Sequence, residues 1–213
     1  MTAGWSGIII EGIPCAGKSC LLAEVRAHPT FLARQSVLML SEHYTERAIE
    51  GRPDQRPERY EQLMYRLLAA IEPLRVLTVE SDVLRRRPSA QLLWVLERFH
   101  FTNLIRHAGG DLDMLRRIEG MMRFYRPTTV VITVPPEQIE AQLAASLEQR
   151  NDAWREFVFS LGPDLAAVTK VFVEWQEAYL DLAAASTLPT LVVPMGEQAR
   201  QALLGLIATD QPA

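Results

Sequence analysis

Cysteine is scarce in this chain of 213 residues, which carries only Cys15 and Cys20. They lie five positions apart, and a bond between them would distort the four residues they bracket. They therefore read as small packing residues of a reducing compartment, and a disulfide framework is excluded. No apolar run is long enough to cross a bilayer, and no charged-then-apolar leader opens the sequence. A cytoplasmic protein without a membrane partner is expected. Neither sign of charge dominates: 22 Lys and Arg stand against 26 Asp and Glu, a net charge of −4. That balance argues against nucleic acid as an electrostatic partner. Repeats and low-complexity stretches are also missing, so nothing suggests a solenoid or a tether.

What is present suits one compact α/β domain over residues 1–213, with a lid segment near 149–162. Near-continuous aliphatic runs at 7–10, 36–40, 91–96, 129–134 and 191–193 read as strands buried on both faces. Helical stretches at 57–87, 101–107, 111–125, 137–150, 164–185 and 197–208 fill the gaps. Pro73 is expected to kink or divide the first of these. The alternation predicts a five-stranded parallel sheet covered by helices, a three-layer fold. The polar stretches 50–57 and 151–157 are expected at mobile edges of a cleft. Helix 164–185 holds more apolar residues, among them Val171 and Trp175, than one face needs. It is a candidate for a homodimer contact, although core burial explains the same residues.

The most specific motif follows the first strand: Gly12, Ile13, Pro14, Cys15, Ala16, Gly17, Lys18 and Ser19 form G-x-x-x-x-G-K-S, and Cys20 continues into a helix. Glycines let successive backbone N–H groups face phosphate oxygens, Lys18 supplies charge toward the β and γ phosphates, and the Ser19 hydroxyl is suited to Mg²⁺. The helix after it turns its positive end to the same anion. The cofactors implied are ATP, or another nucleoside triphosphate, and Mg²⁺.

In an open parallel sheet, ligands bind beyond the carboxyl ends of the strands. Glu42 and His43 lie there after the second strand, and Glu97 and Arg98 after the third. Glu42 is a candidate general base for a substrate hydroxyl, with a solvated or capping acid as its structural alternative. His43 is a candidate substrate contact or a structural histidine. Glu97 suits Mg²⁺ and Arg98 suits a phosphate in transit, against the alternative of an internal ion pair. His100 has no second ligand at helical spacing, so a metal site there is not expected. Arg150 and Arg155 flank the lid and are candidate phosphate contacts or solvated helix ends. Tyr60 and Gln62, with Met64 and Tyr65, are candidates for an acceptor pocket, though helical spacing sends some of them into the core. Arg85, Arg86 and Arg87 read as a solvated helix terminus.

Together these residues resemble the deoxynucleoside kinase and thymidylate kinase group of phosphate-loop kinases. The resemblance rests on Gly12 to Ser19, Glu42, the Glu97-Arg98 doublet and the strand-helix-Arg segment at 129–150; only the loop is a specific motif. It implies a general base at Glu42, a Glu-Arg pair near Mg²⁺ and phosphate, and transfer of a γ-phosphate to a 5′-hydroxyl. His43 stands where a proline is usual and Phe99 where a serine is, and the lid is poor in arginine. The Asp-Arg that thymidylate kinases tend to carry is absent.

The expected function is thus an ATP-dependent small-molecule kinase acting on a hydroxyl of a nucleoside or nucleoside-like acceptor. The alternatives are a nucleoside monophosphate kinase using Arg47, Arg52, Arg56 or Arg59 for the acceptor phosphate, an antibiotic or metabolite phosphotransferase, and a nucleotide switch without an acceptor.

Overall fold

The computed structural model describes residues 6–47, 57–87 and 92–209. Five strands, β1 (Ser6–Glu11), β2 (Val37–Leu40), β3 (Leu93–Glu97), β4 (Pro127–Thr133) and β5 (Thr190–Pro194), form one parallel sheet in the order β2-β3-β1-β4-β5. Ile8, Ile9 and Ile10 of β1 and Leu93 to Leu96 of β3 are all buried, as strands covered on both faces require. β5 departs from that expectation. It lies at the sheet edge, and Leu191 and Val192 are exposed there.

Helices gather in two groups. The helices α1 (Lys18–Ala27) and α2 (Pro29–Leu32) pack with the last helix of the chain, Glu197–Thr209. Between β2 and β3 come α3 (Glu42–Thr45), α4 (Pro57–Glu80) and α5 (Asp82–Arg85). The helices α6 (His100–His107), α7 (Leu112–Met122), α8 (Pro136–Gln149), α9 (Asp152–Ser160) and α10 (Leu165–Ala185) follow, and Glu197–Thr209 is α11. α4, α6 and α7 pack on one another, and α10 packs on α6, α8, α9, β4 and β5. Gln176 of α10 clamps the end of β4, accepting from the Val134 N–H (2.7 Å) and donating to the Val134 carbonyl (2.8 Å).

The structure refines three local expectations. α4 runs unbroken through Pro73, because Pro73 and Ala69 are exposed and the carbonyl deprived of its donor meets water. The break comes at Ser81, whose hydroxyl accepts from the Leu84 N–H and starts α5. The stretch after Arg150 lies at the edge of a cavity as expected and is helical there: α9 is capped by Asn151 and seated through buried Trp154 and Val158. In α10, Val168, Phe172 and Leu182 are buried inside the domain, and Trp175 packs against the same core. Core burial accounts for them.

β1 and β3 approach closely because Gly7 pairs with Trp94. A Cβ at Gly7 would stand 2.0 Å from the Trp94 ring, which is wholly buried. Gly7→Ala is expected to lower unfolding stability by about 1–3 kcal/mol through overpacking. Combining it with Trp94→Leu should recover part of the loss, and a denaturant midpoint unmoved by Gly7→Ala would contradict this packing.

Candidate active site

The loop between β1 and α1 is built on positive-φ positions. Gly12 has φ 133, and a Cβ there would meet the Ile132 carbonyl oxygen of β4 at 2.4 Å. Gly17, at φ 74, begins α1 with no side-chain cap and no acid in its first turn, so its N-terminal N–H groups are left for an anion. Cys15 also takes a left-handed conformation, φ 63. Burial pushes its thiol up to about 11 against the pull of Lys18, Arg150 and Arg98, which fits a packing residue and not a nucleophile.

Lys18 folds back over the loop and donates to the Gly12 and Ile13 carbonyls, both at 2.7 Å. Its ammonium is buried, and burial is the main reason its pKa falls to about 7; Arg98 adds to the fall, while Glu97, Glu11 and Glu42 oppose it.

Strand register brings the acids to this loop. Ile10 is the partner of Glu97, and the Arg98 N–H donates to the Ile10 carbonyl (2.9 Å). Ser19 Oγ consequently donates to Glu97 Oε1 at 3.1 Å. A hydroxyl and a carboxylate side by side at a phosphate loop match Mg²⁺, which takes one or two protein oxygens and completes its shell with water and phosphate. No group of three metal-ligating His, Cys, Asp or Glu exists among the described residues, so such an ion would rely on Ser19, Glu97 and the nucleotide.

Arg98 is the junction of the site. It takes φ 52, where a non-glycine residue costs about 1–2 kcal/mol. Its Nε lies 3.0 Å from Glu42 Oε2 and its Nη1 3.2 Å from Glu46 Oε2. Glu42 Oε1 pairs with Arg47 (2.8 Å), and Glu46 Oε1 with Arg106. Burial alone would raise the Glu42 carboxyl, but Arg98, Arg47 and Lys18 outweigh it and hold the group below its ordinary value. The wholly buried Glu11 secures the next turn. It accepts from the N–H groups of Phe99 and Phe101 (3.0 Å each) and of Thr102 (3.3 Å) and from the Thr102 hydroxyl (2.6 Å), placing a carboxylate at the start of α6. Asn103 ties this turn to α3 through the Thr45 carbonyl, and Thr45 donates to the Glu97 carbonyl.

Two cavities adjoin. One, of about 320 Å³, is walled by the loop residues Cys15, Gly17, Lys18, Ser19 and Cys20 with Glu42, Glu97, Arg98 and Arg150. The other, about 560 Å³, is lined by Arg47, Arg98, Arg106, Arg150, Asn151, Ala153, Trp154 and Phe157. Arg98 and Arg150 belong to both.

Most of the residues expected from sequence meet here, and several do not. Tyr60 is fully buried and stacks on His107 with ring centroids 3.5 Å apart, so it is a core residue and no acceptor contact. Gln62 is exposed and lines neither cavity, because the helix period that buries Tyr60 and Met64 turns it outward. His43 is exposed on α3 and lines neither cavity. Arg155 turns back to the Leu147 carbonyl (3.0 Å) at the end of α8, and of the two arginines only Arg150 reaches the phosphate-loop cavity. His100 is wholly buried, 3.7 Å from Glu11 and 3.6 Å from Glu119. Arg52 and Arg56 lie outside the described residues. Sequence reasoning missed Arg106, Glu46, Trp154 and Phe157. The one available signal was the three-residue spacing of Asn103 and Arg106 on the helix that leaves Arg98.

The Glu42 pairing predicts a pH dependence of stability. Its folded pKa is lowered, so its contribution is full above the unfolded value of about 4.3 and is lost as pH falls through the folded one. Thermal unfolding followed from pH 6 to pH 3 should show a shallower acid loss in Glu42→Gln than in the parent; identical slopes would refute the pairing.

No protein-family model matches the chain, and no curated protein matches it in sequence. Solved structures do resemble it. The chain superposes on polyphosphate kinase 2 from Arthrobacter aurescens TC1 with a TM-score of 0.57 at 15% identity, covering 97% of this chain and 69% of that one. A herpesvirus thymidine kinase, EHV4-TK complexed with TP5A, gives a TM-score of 0.38 at 12% identity, covering 95% and 91%. The first likeness supports the fold, an α/β domain with a five-stranded parallel sheet.

Proposed function

We propose that the chain is a phosphotransferase that moves the terminal phosphoryl group of a magnesium nucleotide to a small acceptor. The observation that carries this reading is the shared wall. Arg98 and Arg150 line both the phosphate-loop cavity and its larger neighbour, so a triphosphate in one borders an acceptor in the other. A nucleotide switch has no use for the second cavity.

Phosphoryl transfer depends mainly on positioning and charge compensation. In this reading the loop amides and Lys18 hold the β and γ phosphates, and Arg98 and Arg150 offset charge on the group in transit. Ser19 and Glu97 would hold Mg²⁺, which would supply positive charge to offset that of the phosphates. Glu42 lines the phosphate-loop cavity, pairs with Arg47 and Arg98 of the larger one, and in this reading orients the acceptor through them. The acceptors expected from sequence, a nucleoside-like hydroxyl and a nucleoside monophosphate, differ in whether Glu42 must also take a proton. Because polyphosphate kinase 2 shares the fold, inorganic polyphosphate belongs among the compounds tried as donor or acceptor.

The decisive assay is ADP or GDP release from the magnesium nucleotide with and without nucleosides, nucleoside monophosphates, polyphosphate and hydroxylated antibiotics. Release that depends on an acceptor is expected; equal release without one would mean an ATPase or switch. Lys18→Ala should abolish most turnover, and Glu42→Gln should lower turnover while leaving nucleotide affinity nearly intact. Lys18 also predicts proton uptake. In the free protein at pH 8 its amine is mostly neutral, since its pKa is about 7, and a triphosphate favours the ammonium form. Binding at pH 8 should take up nearly one proton, and binding at pH 6 far less. Calorimetry in buffers of different ionisation enthalpy reads this directly, and Lys18→Ala should remove the difference.

A further inference from the structure

We infer that the acceptor offers an already ionised phosphate oxygen, so that the product is a phosphoanhydride and not the ester of an alcohol. This rests on the phosphotransferase reading above and specifies its substrate class. Four guanidinium groups line the larger cavity, and their carboxylate partners among the described residues are Glu42 and Glu46 alone. Arg150 has no ion pair among the described residues, and its guanidinium lies 4.4 Å from the centre of the Trp154 ring. Arg106 rests likewise over Phe157 at 5.1 Å and Trp175 at 5.9 Å. The rings therefore back the arginines, fixing planar donors that suit phosphate oxygens. Among the described residues of this lining Asn151 is the one neutral side chain with an amide, which offers little to a neutral acceptor.

Glu42 supports the same conclusion. Arg47 holds one of its oxygens and Arg98 the other, an arrangement that disfavours accepting a proton. A hydroxyl acceptor needs that proton removed, whereas a phosphate acceptor has none to lose. In the step inferred, an acceptor phosphate oxygen forms a bond to the γ-phosphorus. The bond from that phosphorus to the β,γ-bridging oxygen breaks, its electron pair stays on the departing nucleoside diphosphate, and no proton is released. Glu42 then serves to position Arg47 and Arg98.

The test uses the full chain with Mg-ATP. Matched nucleosides and nucleoside 5′-monophosphates are compared as acceptors, with inorganic tripolyphosphate as a separate arm that distinguishes a bare phosphate chain from a phosphate ester. Phosphorylated acceptors should give roughly tenfold or greater kcat/KM over the nucleosides, the factor expected for one charge-assisted contact. At pH 8 in weak buffer they should release no proton per ADP, whereas a hydroxyl acceptor releases about one. Arg106→Gln should raise the acceptor KM about tenfold more than the ATP KM, and Arg47→Gln, at an exposed position, provides the same reading if the first variant fails to fold. Preference for nucleosides with a proton released per turnover overturns this inference and leaves the phosphotransferase reading standing. If Mg-ATP binds but no acceptor elicits ADP release, both fall.

Discussion

One guanidinium, that of Arg98, holds the site together. Its backbone is still part of the β3–β1 ladder through the Ile10 carbonyl, while its side chain lies between two carboxylates delivered from the exit of β2. The left-handed turn that makes this possible is held by Glu11, which gathers the next backbone N–H groups and the first turn of α6. The end of β1 thereby contributes twice, through the loop that follows it and through the acid that precedes Gly12.

Buried ion pairs of this kind are weak evidence for stability, since the desolvation of each partner offsets most of the attraction. Their value here lies in geometry. Glu46, almost wholly buried, holds Arg98 and Arg106 at a set spacing, and Glu42 does the same for Arg98 and Arg47. The aromatic rings of α9 and α10 complete the support from behind. A chain with a net charge of −4 therefore presents a concentrated positive surface inside one cleft. Whole-chain charge excludes a broad basic face but says nothing about a focused one.

Ligands gather where crossovers leave neighbouring strands in opposite directions. Here β1 connects outward to β2 and β3 connects across to β4, so the carboxyl ends of β1 and β3 face a common crevice. Ser19 and Glu97, far apart in the chain, become hydrogen-bonded neighbours for that reason. The helix α9 adds a wall, and Arg150 at its approach reaches both cavities while Arg155 on the helix itself does not.

Strand positions were legible because buried parallel strands must be nearly continuous runs of aliphatic side chains, and the phosphate loop because its backbone needs glycine at set intervals. The rule that ligands lie beyond strand ends pointed to Glu42, Glu97 and Arg98, and the structure brings these three to one cavity. Helix faces were not legible to the same degree: Tyr60 and Gln62 sit two residues apart and go to opposite environments, which depends on what α6 presents to α4. Nor does any local pattern announce that Glu46 meets Arg106. Those two residues belong to segments brought together by the β2–β3 pairing, and a contact between distant segments is a property of strand order, not of spacing along the chain.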